Sequence, residues 1–352
     1  MIKNIKKKVV VAMSGGVDSS LAAALLKEGG YDVFGITIHH HDDNESLESA
    51  EQAAQNLKIP WYVMDFTKEF KNIVIDYFCQ EYVAGRTPNP CVICNLKIKF
   101  GLLLEKAKSL NVDYLATGHY AIKEYDQNSK KFLLKRGLDE SKDQSYFLYR
   151  LNQNILPYVL FPLGKFEKNQ TRELAKKYGL KKYKKKESQE ICFIQGDNYR
   201  KFLIQNISKT INPGKFKDKE GKILGEHQGI PYYTIGQRKG LGISLNKRRY
   251  VTEINSHENV IILSDDKDLY KDKLLVKDLS FISGDNISHS MKAEVKIRYN
   301  SKKSSANISL YSKDKLLIVF EKPQRAVTPG QSAVFYQGDV VVGGGIIENK
   351  KI

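Results

Sequence analysis

The sequence predicts an α/β chain: a doubly wound parallel sheet, then a small central β-rich domain, then a C-terminal β-barrel. Three observations predict it. From Val9 to about Thr117, short β-branched runs alternate with amphipathic helical stretches, the pattern of βαβ units. Helical periodicity stops after 197–207, and glycines, turn residues and short alternating strands dominate from Pro213 onward. Between Lys273 and Ile347 about half a dozen strand-like runs recur at regular spacing without a helix, as in a small barrel. The expected domains are 1–207, 208–270 and 271–352, and 352 residues suffice to give each a core.

In the first domain strands are expected at 9–13, 32–38, 61–65 and 114–117, and helices at 20–29, 47–57, 68–83 and 96–110. The lysines of Met1–Lys8 before Val9-Val10-Val11 imitate a signal peptide, but the apolar run is short and reads as a core strand. No apolar stretch approaches the roughly 20 residues that span a bilayer. A soluble, cytoplasmic protein is expected, and four cysteines in so long a chain fit a reducing compartment better than a disulfide framework. The formal charge of +17 implies a polyanionic partner such as nucleic acid, with lysine enrichment from base composition as the plainer alternative.

The first strand runs directly into Ser14-Gly15-Gly16-Val17-Asp18-Ser19-Ser20, and a helix follows. Backbone amides at such a junction lack partners, and the helix dipole adds partial positive charge, so the turn is an anion site. Glycines let the backbone approach a phosphate, the serines add hydroxyls, and Asp18 could hold a magnesium ion. The lysine of G-x-x-x-x-G-K-[ST] is absent. The loop instead resembles the PP-loop of N-type ATP pyrophosphatases, Rossmann-like proteins that cleave ATP between its α and β phosphates. Ligands of such sheets lie beyond the carboxyl ends of the strands, where the Ser14 loop, Ile38-His39 and Gly118-His119 all fall.

The second informative stretch is Arg86 to Asn95. Two prolines imply an extended approach, after which Cys91-x-x-Cys94 opens a helix carrying Lys97, Lys99 and Phe100. A thiol at a helix N-terminus is expected to have a lowered pKa, which makes Cys94 the candidate reactive thiol. The pair alone is compatible with a redox dithiol, half of a zinc site or part of an iron–sulfur site, and Cys192 is the remaining cysteine suited to join it. Cys79, midway along an amphipathic helix, reads as core.

Other segments carry less. His39-His40-His41-Asp42-Asp43 reads as a solvated loop rim rather than a metal cluster, because neighbouring side chains diverge. Residues 122–134 read as a hairpin, and Lys142 to Leu148 as a loop leading into a helix. Lys176, Lys177, Lys181, Lys182, Lys184, Lys185 and Lys186 form either a solvated face or a contact to phosphates. Ile230 to Gly242 combines aromatic, basic and glycine residues suited to RNA, or forms a compact turn. Val340 to Ile347 reads as a closing strand with a glycine kink.

Together Ser14–Ser19, Arg86–Phe100, Ala116–Tyr120, Lys142–Leu148, Ile191–Ile194, Tyr233–Gly242 and Ala326–Gln331 closely resemble the bacterial tRNA-specific 2-thiouridylase family, over about residues 8–347. The resemblance implies ATP-dependent thiolation of the wobble uridine in tRNAs for lysine, glutamate and glutamine. It places ATP at Ala12, Met13, Ser14, Gly15, Gly16, Val17, Asp18, Ser19, Ile38 and Gly118. It gives Asn89, Pro90 and Cys91 to the target base, and Lys142, Asp143, Gln144, His119, Arg298, Tyr299 and Gln331 to tRNA contact. Cys94 corresponds to the catalytic thiol and Cys192 to the persulfide carrier, which a cysteine desulfurase or sulfur-relay protein would load. Cys91 departs from the better-known form of the family, which has aspartate there. With Cys94 and Cys192 it offers ligands for a [4Fe–4S] cluster, an alternative to the persulfide route. Another PP-loop adenylating enzyme, such as an amide-forming or lysidine synthetase, and a non-enzymatic RNA-binding scaffold are the rival functions.

Overall fold

The structure is a computed structural model describing residues 6–40, 44–180, 191–194, 196, 198–207, 210–245, 247–285, 287 and 289–349. In chain order the first unit contains β1 (Lys8–Ala12), α1 (Val17–Glu28), β2 (Asp32–His39), α2 (Asn44–Leu57), β3 (Trp61–Asp65), helix α3 (67–83), helix α4 (90–109) and β4 (Tyr114–Ala116). There follow the hairpin β5 (Ala121–Asp126) and β6 (Lys131–Arg136), β7 (Val159–Leu160), α5 (Lys168–Lys177) and α6 (Tyr199–Asn206). Strands β1, β2, β3, β4 and β7 form one parallel sheet in the order β3-β2-β1-β4-β7. Val9, Val10 and Val11 of its central strand are fully buried, as a strand covered on both faces by helices must be.

The expected start of α4 at residue 96 is too late. Pro90 stands at its first position, where a missing N–H costs nothing, so only Pro88 belongs to the extended approach. Residues Cys94–Leu103 of α4 wind as a wider π-helix, which periodicity counting at 3.6 residues per turn does not anticipate.

Beyond α6, β8 (Gly214–Lys217), β9 (Ile223–His227), β10 (Tyr250–Asn255) and β11 (Val260–Ser264) make a separate sheet in the order β10-β11-β8-β9. The last six strands are β12 (Tyr270–Phe281), β13 (Met291–Lys296), β14 (Ser304–Ser312), β15 (Lys315–Arg325), β16 (Ser332–Gln337) and β17 (Val340–Ile347). They run antiparallel and close through the β12–β17 pairing, so β17 is the closing strand that its sequence predicts. Alternating Leu274, Val276, Val295, Ile308, Ile318 and Phe335 fill the barrel.

The barrel is bound to the first unit by several contacts, and two groups of them position the site. The β5–β6 hairpin does not extend the parallel sheet; it joins the barrel through Lys135 opposite Val340 of β17. Behind it one apolar cluster runs without a break from Val10 and Leu115 through Tyr146 and Tyr149 to Val334 and Val341. The predicted helix after Lys142 is a single buried 3₁₀ turn, Ser145–Leu148. The Tyr146 hydroxyl there donates to the Ser332 carbonyl at 2.9 Å.

The second connection is a clamp. The turn Thr328–Gln331 grips the loop before α4: Thr87 N donates to Pro329 O at 2.9 Å, and Gln331 Nε2 donates to Thr87 O and Pro88 O at 2.9 and 3.1 Å. Gly330 has φ +91°, and a Cβ there would sit 2.9 Å from the Thr87 carbonyl oxygen. Gly330→Ala is therefore expected to destabilise the protein by about 1–3 kcal/mol through backbone strain, with a further loss from the clash. Gly284 has a similar φ of +84° but open space around it. Thermal unfolding of both alanine variants checks this, and the Gly330 variant must melt lower.

Candidate active site

The turn between β1 and α1 is shaped from within. Ser19 Oγ accepts from Ser14 N at 3.1 Å and donates to Gly16 O at 3.0 Å, while Ser20 Oγ donates to Gly16 O at 3.1 Å. Both residues are buried, and their hydroxyls hold the loop's shape. Ser14 and Gly16 form its exposed rim. Gly118, at the end of β4, packs so close that a Cβ would lie 2.7 Å from Ser19 N. Val17 lies at the start of α1 beside Gly15, and both face a small cavity closed by Ser49, Gln52 and Leu180. Met13 is buried, its backbone N–H donating to Ile36 O at 2.8 Å, and Ala12 ends β1 opposite Ile36.

Asp18 differs from expectation. Both carboxylate oxygens accept from Lys168 Nζ at 2.8 Å, and one also accepts from the Tyr120 hydroxyl at 2.9 Å. The carboxylate is thus paired with a lysine and a phenol from distant segments. The sequence reading overlooked Lys168 and Tyr120. A signal existed: Lys168 is the first residue of a helix, where a cation opposes the dipole and needs a partner.

The thiols come together beside this loop. Cys192 lines a recess shared with Ser14, Thr37, Ile38, His39, His40 and Ser46. Phe193 holds it there, packing edge-on against Phe70 and Phe78 at 5.7 and 5.4 Å and against Phe202 at 5.1 Å. Cys94 packs on the rim of that same aromatic cluster. Cys192, Cys94 and Cys91 lie close enough for the charges of Cys94 and Cys91 to act on Cys192.

Their acidity reverses the sequence-based expectation. Burial pushes Cys192 up to about 12, aided by repulsion from the other thiols, and pushes Cys91 up to about 11; Cys94 is raised by burial as well. Cys91 and Cys192 keep exposed surface, yet at all three thiols the lost hydration outweighs the helix terminus. Moreover α4 starts at Pro90, so Cys94 lies past the first turn, where the dipole fades. Lys99 opposes the rise at all three thiols. Among the described residues no three His, Cys, Asp or Glu side chains gather as metal ligands. Cys79 is buried in the core, as expected.

The remaining candidates divide. Asn89, Pro90 and Cys91 lie at the clamped loop and the start of α4, with Cys91 exposed. Gln331 is spent on that clamp. Asp143 is 2% exposed and accepts from Gly137 N, Ser145 N and Ser145 Oγ at 3.0–3.1 Å. Gln144 accepts from Tyr120 N, and Lys142 is half-buried next to it. His119 bonds Thr117 Oγ1 through Nδ1 at 2.8 Å, and burial, with Lys99 nearby, holds its pKa well below the usual imidazole value. Arg298 donates to the Arg325 carbonyl, and Tyr299 stacks on Phe147 with centroids 4.4 Å apart. His40 stacks on Phe70 at 4.2 Å, so it is a packed residue and not a solvated rim. Residues 41–43 and Lys181 to Lys186 lie outside the described residues; Lys176 and Lys177 are exposed at the end of α5.

Comparison with known proteins agrees with this architecture. Family models match residues 7–196 (tRNA methyl transferase HUP domain), 200–265 (tRNA methyl transferase PRC-barrel domain) and 271–347 (Aminomethyltransferase beta-barrel domain). The chain is 48% identical to tRNA-specific 2-thiouridylase MnmA 1 of Thermoanaerobacter pseudethanolicus, over 97% of this chain and 98% of that protein. It is 49% identical to MnmA 2 of Caldanaerobacter subterraneus at the same coverage, and 48% identical to MnmA of Acetivibrio thermocellus, covering 97% and 99%. With its three bodies matched in order and its length spanned by these relatives, the chain belongs to the tRNA-specific 2-thiouridylase family.

Proposed function

We propose that this protein is an ATP-dependent sulfurtransferase that replaces the C2 oxygen of the wobble uridine of tRNA with sulfur. One observation carries the reading: Cys192 and the phosphate-loop residue Ser14 line the same recess, although 178 positions separate them in the chain. An adenylating site without sulfur chemistry has no use for thiols there, and a scaffold has no use for either.

The chemistry follows in three steps. Uracil O2 attacks the α-phosphorus of ATP, and pyrophosphate leaves with the electron pair of the broken anhydride. The terminal sulfur of a Cys192 persulfide then bonds to C2, and AMP departs with the former carbonyl oxygen. Cys94 attacks Cys192 Sγ, which releases the transferred sulfur to the base and leaves a Cys94–Cys192 disulfide. A dithiol reductant and a cysteine desulfurase or sulfur-relay protein reset the site. Magnesium arrives with the triphosphate as part of the substrate. Ala12 to Ser19, Ile38 and Gly118 surround the nucleotide, and Asn89 to Cys91 face the base.

Among tRNA positions, His119 kept neutral, Lys142, Arg298 and Tyr299 are the proposed contacts, while Asp143 and Gln331 hold the backbone that presents them. The acceptors are the tRNAs for lysine, glutamate and glutamine, and the charge of +17 suits that partner. Among the described residues no helix is long and apolar enough to cross a membrane, in keeping with a cytoplasmic site of action.

Three outcomes test the reading. Cys192→Ser and Cys94→Ser should each lower 2-thiouridine formation at least 100-fold while tRNA-dependent pyrophosphate release persists; undiminished product from Cys192→Ser would fit another PP-loop enzyme. Raised thiol pKa values mean that thiolate is scarce at neutral pH and grows as pH rises through the shifted value. Iodoacetamide alkylation of Cys192, followed by mass spectrometry, should be at least tenfold slower than for an unperturbed thiol at pH 8 and still climbing at pH 10. Protein purified without oxygen should contain no stoichiometric iron, and an activity-linked cluster would overturn the persulfide route.

A further inference from the structure

Sulfur transfer through Cys192 and Cys94 leaves the sulfur of Cys91 without a part in the chemistry. Cys91 keeps exposed surface, Cys94 is half-buried, and Cys79 is shut in the core. Cys91 and Cys94 stand three residues apart where α4 begins. Pro90–Ile93 is α-helical, and Ile93 and Cys94 hold φ, ψ of −68°, −44° and −58°, −47°, so the backbone between the two thiols winds as an ordinary helical turn. Three residues along such a turn separate Cα atoms by about 5 Å. A disulfide spans about 4.4–6.8 Å between Cα atoms, so this turn can carry one without unwinding.

The Cys94–Cys192 bridge that ends a turnover has a different character. It ties α4 to a segment 98 positions further along the chain, and Cys192 lines the recess of the phosphate loop together with Ser14, His39 and Ser46. While the bridge stands, Cys192 cannot take the next sulfur and the recess stays cross-linked. Cys91 is near enough to intervene: the charge of Cys94 acts on Cys91, and the charges of both act on Cys192. A thiol held beside a disulfide attacks it as an intramolecular nucleophile, with the advantage that proximity confers. A carboxylate or hydroxyl at position 91 has no such reaction.

We propose that Cys91 is the resolving thiol of the cycle: it displaces Cys192 from Cys94 and leaves a local Cys91–Cys94 disulfide for a dithiol reductant to open. The proposal rests on the thiolation reading, in which the Cys94–Cys192 bridge forms. The deprotonated sulfur of Cys91 bonds to Cys94 Sγ, and the bond from Cys94 to Cys192 breaks. Cys192 departs with the electron pair and takes up the proton that Cys91 lost. One disulfide replaces another, so this step consumes neither oxidant nor reductant. The dithiol then supplies two electrons and two protons to the Cys91–Cys94 pair. Cys192 is already free by that point, ready to be loaded again.

The test uses the full chain, loaded with sulfur by a cysteine desulfurase and cysteine, then freed of both. Mg-ATP and unmodified tRNA are added without reductant, the reaction is stopped in acid after one turnover, free thiols are capped with N-ethylmaleimide, and disulfide-linked peptides are mapped by mass spectrometry. Most of the disulfide in the unmodified chain should join Cys91 to Cys94, with Cys192 capped, whereas Cys91→Ser should trap Cys94–Cys192. With dithiothreitol present, the ratio of the steady-state rate to the first-turnover rate should fall at least fivefold in both Cys91→Ser and Cys91→Asp; a ratio is used because it cancels any loss of base contact. The map of the unmodified chain does not depend on how a variant folds. If that map is dominated by any other pairing, or if the ratio is unchanged, the proposal fails. Absence of 2-thiouridine, or 2-thiouridine formed with no disulfide at all, would instead overturn the thiolation reading beneath it.

Discussion

Site assembly depends on where one phenylalanine goes. Phe193 is 6% exposed and inserts among Phe70, Phe78 and Phe202, which come from α3 and α6. Aromatic contacts of this geometry add about 0.5–1.5 kcal/mol each beyond the burial of area. Because the preceding residue is Cys192, seating Phe193 also sets a sulfur beside the phosphate loop. The same cluster carries Cys94 on its rim, so a single hydrophobic event gathers two thiols that the chain keeps almost a hundred positions apart. Hydrophobic packing, which has no directional preference of its own, is thereby given a chemical outcome by sequence adjacency.

The thiols so gathered are poorly ionised, and this has a rationale. A thiolate at rest would be open to oxidation and alkylation, whereas a neutral thiol reacts more slowly with both. The charge of Lys99 opposes the effect of burial at all three thiols.

Much of the fold was legible because it rests on periodicity. The valines of β1, the alternation of short strands with amphipathic helices and the evenly spaced strands after residue 270 all signal their class locally. The hexad Ser14 to Ser19 and the Cys91–Cys94 pair were legible as well, since their chemistry lies in neighbouring residues. What escaped was non-local. Nothing near Asp18 announces Lys168, nothing near Gln331 announces the Thr87 carbonyl it caps, and Asp143 gives no local sign that burial among Gly137 and Ser145 removes it from solvent. The thiol acidity was misjudged for the same reason: a helix terminus is visible in sequence, and desolvation by distant segments is not.

The pairing of β6 with β17 makes the molecule less modular than its three bodies imply. The hairpin is synthesised near residue 130, but the strand that completes its edge emerges only at about residue 340. On the ribosome those exposed backbone groups wait through some two hundred further residues before they are covered, and an open strand edge invites wrong partners in the interval. A chain truncated after its nucleotide-binding part would carry that open edge permanently. Circular rearrangement or transplantation of the front half alone therefore inherits an aggregation hazard that the intact chain resolves only with its final strand.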